Sequence, residues 1–207
     1  MQPHSVSNKC SIIIPSPRWS KLAFIASLVS ASVLQGCIAT PTSGLERMSN
    51  AMVYGEMSFD DPEIVVATSG PVDIDLESFG GTVVVEAVPG LQNTIIEPVR
   101  RARHGHLRRD DAVSSLDAMD YVVELIPGDL DRETVRIVAS SSGAESHFQG
   151  IDFRIRTADL GSVKVRTGRG RVWVKNNTGG VDVQTTHGDI RVITLHPMND
   201  PIVLVTK

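Results

Sequence analysis

Residues 161 to 194 repeat every nine positions. In phase they read Gly161-x-Val163-x-Val165, Gly170-x-Val172-x-Val174, Gly179-x-Val181-x-Val183 and Gly188-x-Ile190-x-Val192. Thr167, Thr185 and Thr194 follow their pairs at one offset, and Asn176 holds that place in the second unit. Five residues alternate in each unit. Val163 and Val165 therefore share one face of a strand, and Lys164 takes the other. Trp173, Asp182 and Arg191 occupy the corresponding outward positions. Gly161, Gly170, Gly179 and Gly188 are read as structural repeat positions, because glycine rounds a tight corner that a Cβ resists. Thr and Asn at the unit ends suit corner backbone groups.

Two architectures carry such a pattern, an antiparallel meander and a parallel β-solenoid. A meander alternates its turns, whereas these corners share one phrase. A coil of only nine residues has a perimeter of about 30 Å, too little to enclose two faces about 10 Å apart. Two units per coil give about 60 Å, enough for two strands and two corners. The spacing thus predicts an all-β fold: a parallel β-solenoid with two nine-residue units per coil at this end and less regular strands before it. Residues eighteen apart should then lie about 4.8 Å apart on neighbouring rungs. Lys164 would sit beside Asp182 as an ion pair, and Trp173 beside Arg191 as a cation–π contact.

The repeated phrase resembles that of the DUF4097-like group of bacterial adhesin-like families. The likeness covers 161–194 well and 70–85 loosely. It implies a right-handed β-helix and brings no catalytic residues. Calcium-binding nonapeptide repeats share the period but need aspartates in phase. Here Asp182 lies three places after Gly179 and Asp189 one place after Gly188.

Upstream, Ile64 to Val66, Gly70 to Leu76 and Gly81 to Val85 read as strands, the last two as early, irregular rungs of the same device. Tyr121–Ile126 and Thr134–Ala139 read as strands around the turn signal at Pro127-Gly128-Asp129. A basic, partly helical insertion is expected at about 100–120. Arg100, Arg101, Arg103, Arg108 and Arg109 surround His104-Gly105-His106 there, and Asp110 and Asp111 follow. These arginines form a possible anion-contact patch, against the plainer reading of a solvated insertion paired with its own acids. Two histidines one residue apart could share a strand face and hold a metal, but no third ligand is near in sequence and Gly105 favours a loop. No metal is therefore assigned.

The amino terminus carries a second signal. Residues 1–21 are polar and basic, Leu22–Leu34 is uncharged and mostly apolar, and Leu34-Gln35-Gly36-Cys37 follows. That is the order of a secretory signal. Thirteen residues of helix span about 20 Å, short of a hydrocarbon core of about 30 Å. Leu-Gln-Gly-Cys resembles the lipobox of bacterial lipoproteins. The resemblance implies a signal peptide at 1–36, cleaved before Cys37, and lipidation of Cys37 by diacylglycerol and an N-acyl chain such as palmitate. Residues 37–50 then form a tether, and 51–207 the β-solenoid domain. By the sorting rule of that family, Ile38 after the cysteine favours the outer membrane over the inner one.

Composition narrows the function classes. The net charge is -4. Setting aside Lys9, Arg18 and Lys21, the 17 remaining basic residues against 24 acidic ones give -7. That is no nucleic-acid signature. Cys10 leaves with the signal, so the mature domain has no disulfide or cysteine metal site. No phosphate loop, dinucleotide fingerprint or zinc signature is present, and no cofactor is implied. His187 reads as an exposed turn residue, and the carboxylates Asp73, Asp75 and Asp182 have nothing in sequence to assemble them. The expected function is a lipid-anchored, non-catalytic structural or binding module of the cell envelope, with an envelope protein or glycan as partner. The alternatives are a carbohydrate-active enzyme on a β-helix and an envelope sensing or assembly partner. Pro201 to Lys207 reads as an uncapped strand, which implies end-to-end self-association or a longer chain.

Overall fold

The structure, a computed structural model, describes residues 10–12, 55–105, 107–128, 132–195, 197–198 and 200–207. Cys37, the tether to residue 50 and His106 lie outside the described residues.

The strands are β1 (Cys10–Ile12), β2 (Glu56–Asp60), β3 (Ile64–Val66), β4 (Val72–Ser78), β5 (Val83–Ala87), β6 (Thr94–Arg103), β7 (Met119–Pro127) and β8 (Glu133–Ser141). Then come β9 (Gln149–Thr157), β10 (Leu160–Arg169), β11 (Val172–Lys175), β12 (Val181–His187), β13 (Ile190–Ile193) and β14 (Ile202–Thr206). One helix, α1 (Arg109–Asp117), separates β6 from β7, and a 3-10 turn (Ser146–Phe148) precedes β9. The fold is all-β. A first sheet runs β1-β7-β8-β4-β10-β12-β14 and a second runs β13-β11-β5-β9-β6-β2, with β3 also on β6.

From β10 onward the chain changes sheet at every strand: β10, β12 and β14 lie in the first, β11 and β13 in the second. β12, β13 and β14 each pair in parallel with the strand two before them, while β10 and β11 pair back to β4 and β5. Val163 faces Val181, Lys164 faces Asp182, and Trp173 faces Arg191. Neighbours within the repeat, on β10 and β12 and on β11 and β13, are therefore eighteen residues apart, and the meander is excluded there. The early phrases fall in the same register, with Ile74 opposite Val163 and Val83 opposite Val172. Alternation does the rest. Val72, Ile74 and Leu76, Val83 and Val85, Val163 and Val165, Val172 and Val174, Val181 and Val183 all turn inward into one aliphatic core. Each such side chain contributes about 1.5–3 kcal/mol when fully buried.

The nine-residue glycines divide into two kinds. Gly170 and Gly188 have positive φ (121° and 147°), and a Cβ on either would strike the carbonyl of Gly81 or Gly170 respectively. Gly161 and Gly179 stack at the opposite corner, where a Cβ on Gly179 would strike the Gly161 carbonyl. The repeat is thus nine residues in sequence but eighteen in space. Thr167 caps its corner by donating to the Arg169 carbonyl (3.0 Å), as Ser78 does to Gly80 (3.0 Å). The fully buried Asn177 does this at the other corner, donating to the Gly179 carbonyl (2.9 Å).

Two expectations need correction. The sheets are parallel only in part: β6 pairs antiparallel with β9, β7 with β8, and β2 and β3 with β6. A short connection joins β7 to β8, and short connections permit only antiparallel neighbours. Second, Arg100, Arg101 and Arg103 do not lie in an insertion. They sit on β6, in register with Ile151, Gly150 and, across β2, Glu56. Only α1, with Ala112, Ser115 and Leu116 buried, interrupts the β pattern there. Strand order also departs from chain order, because β4 and β5 lie between β8–β9 and β10–β11. Finally, β1 pairs antiparallel with Val123 to Leu125 of β7.

Candidate functional site: a trough and a tryptophan on the second sheet

The corner glycines shape the surface above them. Gly81, Gly150 and Gly170 follow one another across adjacent strands and put no side chain outward, so the corner is a trough. Its volume is about 480 Å³. Arg101 and Arg103 reach it from β6, Arg169 and Arg171 from the corner between β10 and β11, and His147 from the 3-10 turn. Asp152 is the one carboxylate lining it among the described residues. Arg101 bonds Glu56 (2.7 Å) and Asp152 (2.6 Å), and Arg103 bonds Glu56 (2.6 Å). Partial burial acts to raise the Glu56 pKa, but hydrogen bonds from Arg101 and Arg103 outweigh it and hold the carboxyl below its ordinary range. Arg169 donates to the His147 carbonyl (3.2 Å). Exposed Arg171 forms no ion pair among the described residues.

Arg171 closes the corner just before β11, two residues ahead of Trp173, whose side chain lies on the outer face of that strand. Trp173 lies between Val84 and Arg191 in the sheet. The Arg191 guanidinium and the Lys175 ammonium each lie 5.9 Å from its ring centroid. Its indole N–H has no acceptor among the described residues.

An acidic cleft of about 660 Å³ adjoins the trough across the Arg101–Asp152 pair. Asp60, Asp61, Glu63 and Glu97 line it. Asp61 is bound by Arg100 through two hydrogen bonds (2.6 and 2.8 Å), and Glu97 by Arg156 (2.8 Å).

The five arginines singled out in sequence therefore do not form one patch. Arg100 is buried against Asp61, its side chain 10% and that of Asp61 3% exposed. Arg108 bonds Asp111 and Glu145 on the far side of α1, and Arg109 is exposed in the first turn of that helix. Arg101 and Arg103 alone reach the trough, joined by Arg169 and Arg171. The Arg-Gly-Arg phrase at 169–171 was legible as a repeat corner, but its charge is gathered with that of β6 only by the fold. On the first sheet, Asp75, Lys164 and Asp182 stand side by side. Lys164 lies nearer Asp75 (3.4 Å), and Asp182 bonds Arg166 instead. Asp73 accepts from the Ser162 N–H.

One further group was missed. Gln149 donates to the Ser115 hydroxyl (3.0 Å), which lies 2.6 Å from His104 Nε2. His104 Nδ1 is 3.3 Å from a Glu145 oxygen without a hydrogen bond. The order Ser, His, carboxylate is that of a nucleophilic triad. Here Ser115 and His104 are buried, the Phe148 ring packs 5.1 Å from that of His104, and neither lines the trough or the cleft. The group works as a hydrogen-bonded core beneath α1. Among the described residues no three His, Cys, Asp or Glu side chains come together to hold a metal, and no helix is long and apolar enough to cross a membrane.

No protein-family model matches the chain, and no curated protein matches it. Two solved structures resemble it in chain course. One is a putative cell adhesion protein from Clostridium sporogenes, 8% identical, with a TM-score of 0.37, over 72% of this chain and 100% of the other. The second is a putative adhesin from Bacteroides fragilis, 14% identical, with a TM-score of 0.38, over 73% of this chain and 60% of that protein's length. At such scores no function is carried across.

Proposed function

We propose that the chain is a non-catalytic binding module of the bacterial cell envelope, held by lipid at Cys37, and that its ligand is an acidic glycan. The scaffold in this reading is a right-handed β-solenoid of the DUF4097-like kind, with parallel strands alternating between two sheets as its support. The observation that carries the ligand class is the trough with four arginines beside an outward Trp173. Guanidinium groups pair with carboxylates in a planar fork. An indole face offers an apolar platform suited to a sugar ring. An open trough on a rigid sheet admits an extended polymer rather than enclosing a small molecule.

The test is titration of the full chain with a polyuronate and, separately, a neutral glucan, followed by calorimetry. The polyuronate binds, and binding weakens as salt rises. Arg171→Glu lowers affinity at least tenfold, and Trp173→Ala does likewise with an unchanged circular dichroism spectrum. Equal binding of both polymers, or indifference to Arg171→Glu, overturns the reading. Palmitate labelling of Cys37, lost in Cys37→Ser and blocked by globomycin, tests the anchor.

A second reading, a carbohydrate-active enzyme, draws on the acidic cleft. Its carboxylates Asp61, Glu97 and Asp152 are each matched by an arginine, which favours electrostatic pairing over proton transfer. New reducing ends appearing when polysaccharide is incubated with the chain would favour this alternative.

A further inference from the structure

The two sheets end unevenly. At the carboxy-terminal side the first sheet finishes with β14 and the second with β13, so the first extends one strand further. Ile202 and Leu204 are in register with the buried Val181 and Val183, and therefore point into the core. They remain 48% and 45% exposed, because among the described residues no strand of the second sheet lies across from them. Five of the nine large hydrophobic residues exposed among the described residues (Ile193, Leu195, Ile202, Val203 and Leu204) fall on this end. An apolar cluster of this kind marks an interaction surface.

The other edges are built differently, although the three-residue β3 on β6 is also uncharged. At the opposite end of the second sheet, β2 carries Glu56 and Asp60. At the far end of the first sheet, β1 pairs over part of β7, and β7 itself carries Asp120 and Glu124. Charges on an edge strand discourage pairing with another chain. By contrast β14 reads Ile-Val-Leu-Val-Thr and carries no charge, and β13 carries only Arg191. A strand added here meets no like-charge repulsion.

We infer that this end binds a second copy of the same chain through a two-fold axis lying between the sheets and parallel to the strands. The strand count selects this arrangement. Only Gly188 and Asp189 separate β12 from β13, so β13 runs back across the core in the opposite direction. Rotation about such an axis places each β14 against the partner's β13 in antiparallel pairing, on both sheets at once. The long sheet of one copy fills the step left by the short sheet of the other. Ile202 and Leu204 then face the same residues of the second copy across a completed core. A two-fold axis along the sheet normal would instead pair β14 with β14 and hold the two β13 edges roughly 10 Å apart, too far for hydrogen bonds. Two short strands per copy make a small interface, at the weak end of specific association. Anchoring of both copies to one membrane would raise their effective concentration.

Sedimentation equilibrium of the full chain, across micromolar to near-millimolar concentration, tests this directly. A monomer–dimer equilibrium is expected, weakened at least tenfold by Leu204→Asp. Amide hydrogen exchange supplies a readout that needs no variant: protection over 190–193 and 202–206 rises with concentration and that of β2 does not. A monomer throughout overturns the inference. So does a dimer indifferent to Leu204→Asp, or concentration-independent protection of 202–206, which would mean that another part of the chain covers this end. The inference stands or falls independently of glycan binding.

Discussion

Arg100 lies on β6 with its head under α1, where it bonds both oxygens of Asp61 and the Leu116 carbonyl (3.2 Å) and lies over the Phe59 ring. Burial works against its charge, and the Asp61 hydrogen bonds more than offset this, so its pKa is raised. The phenol of Tyr121 is pushed well above its ordinary range by its own burial and then by the Asp61 charge. Asp61→Ala would leave a guanidinium desolvated and unpaired, a loss of about 3–5 kcal/mol. Lys164, by comparison, makes an exposed pair with Asp75, and Asp75→Ala should cost no more than about 1 kcal/mol. Urea unfolding of the two variants checks the contrast, and equal losses would sink it. Alternation sets Arg100 on the inward face with Ile96 and Ala102, and Arg101 and Arg103 on the outward one, but only once β6 is known to be a strand. The role of Arg100 depends on a partner 39 positions away, and pairing at that distance leaves no periodic trace. Lys164, Asp182, Trp173 and Arg191 were legible because a repeat fixes who their neighbours are.

At the level of elements, the corner is the unit that sequence and structure share. The phrase at 161–194 specified strands, inward faces and the eighteen-residue register, all of which the pairing bears out. It placed two corners in each coil but did not show that their glycines differ in backbone conformation, since both corners are written with the same letter. Gly170 sits at φ 121° with the Gly81 backbone where a Cβ would go, whereas Gly90 sits at φ 94° in open space. Gly170→Ala should therefore combine backbone strain of about 1–3 kcal/mol with a collision against a carbonyl that cannot swing away. Gly90→Ala should cost only about 1–2 kcal/mol. Equal shifts in the denaturation midpoint would show that strain alone governs these corners. Strand β6 was illegible for a related reason. Its outward positions carry Glu97, Arg101 and Arg103 where a rung would carry a repeat phrase, and its charges find partners on β2 and β9 rather than in water.

The whole molecule is held together by an interleaved order of strands. A solenoid whose coils follow chain order is a stack of nearest neighbours, and its ends can loosen separately. Here β4 and β5 are laid between β8–β9 and β10–β11, so the amino-terminal part supplies the middle of the stack. Leu76 on β4 is fully buried and faces Ile137 of β8 on one side and Val165 of β10 on the other. Removing its side chain opens a cavity beneath both neighbours, and Leu76→Ala should cost about 2–5 kcal/mol. Because the two parts share that strand, the loss should lower a single cooperative transition. Hydrogen exchange should quicken together in β8 and β10, which are 19 or more residues apart in sequence but joined through β4. Val192→Ala on the outer strand β13, where the side chain is only half-buried, should leave β8 protected. Two separate transitions in the Leu76→Ala variant would show instead that the repeat end folds as its own unit, with β4 and β5 a lining that it can lose.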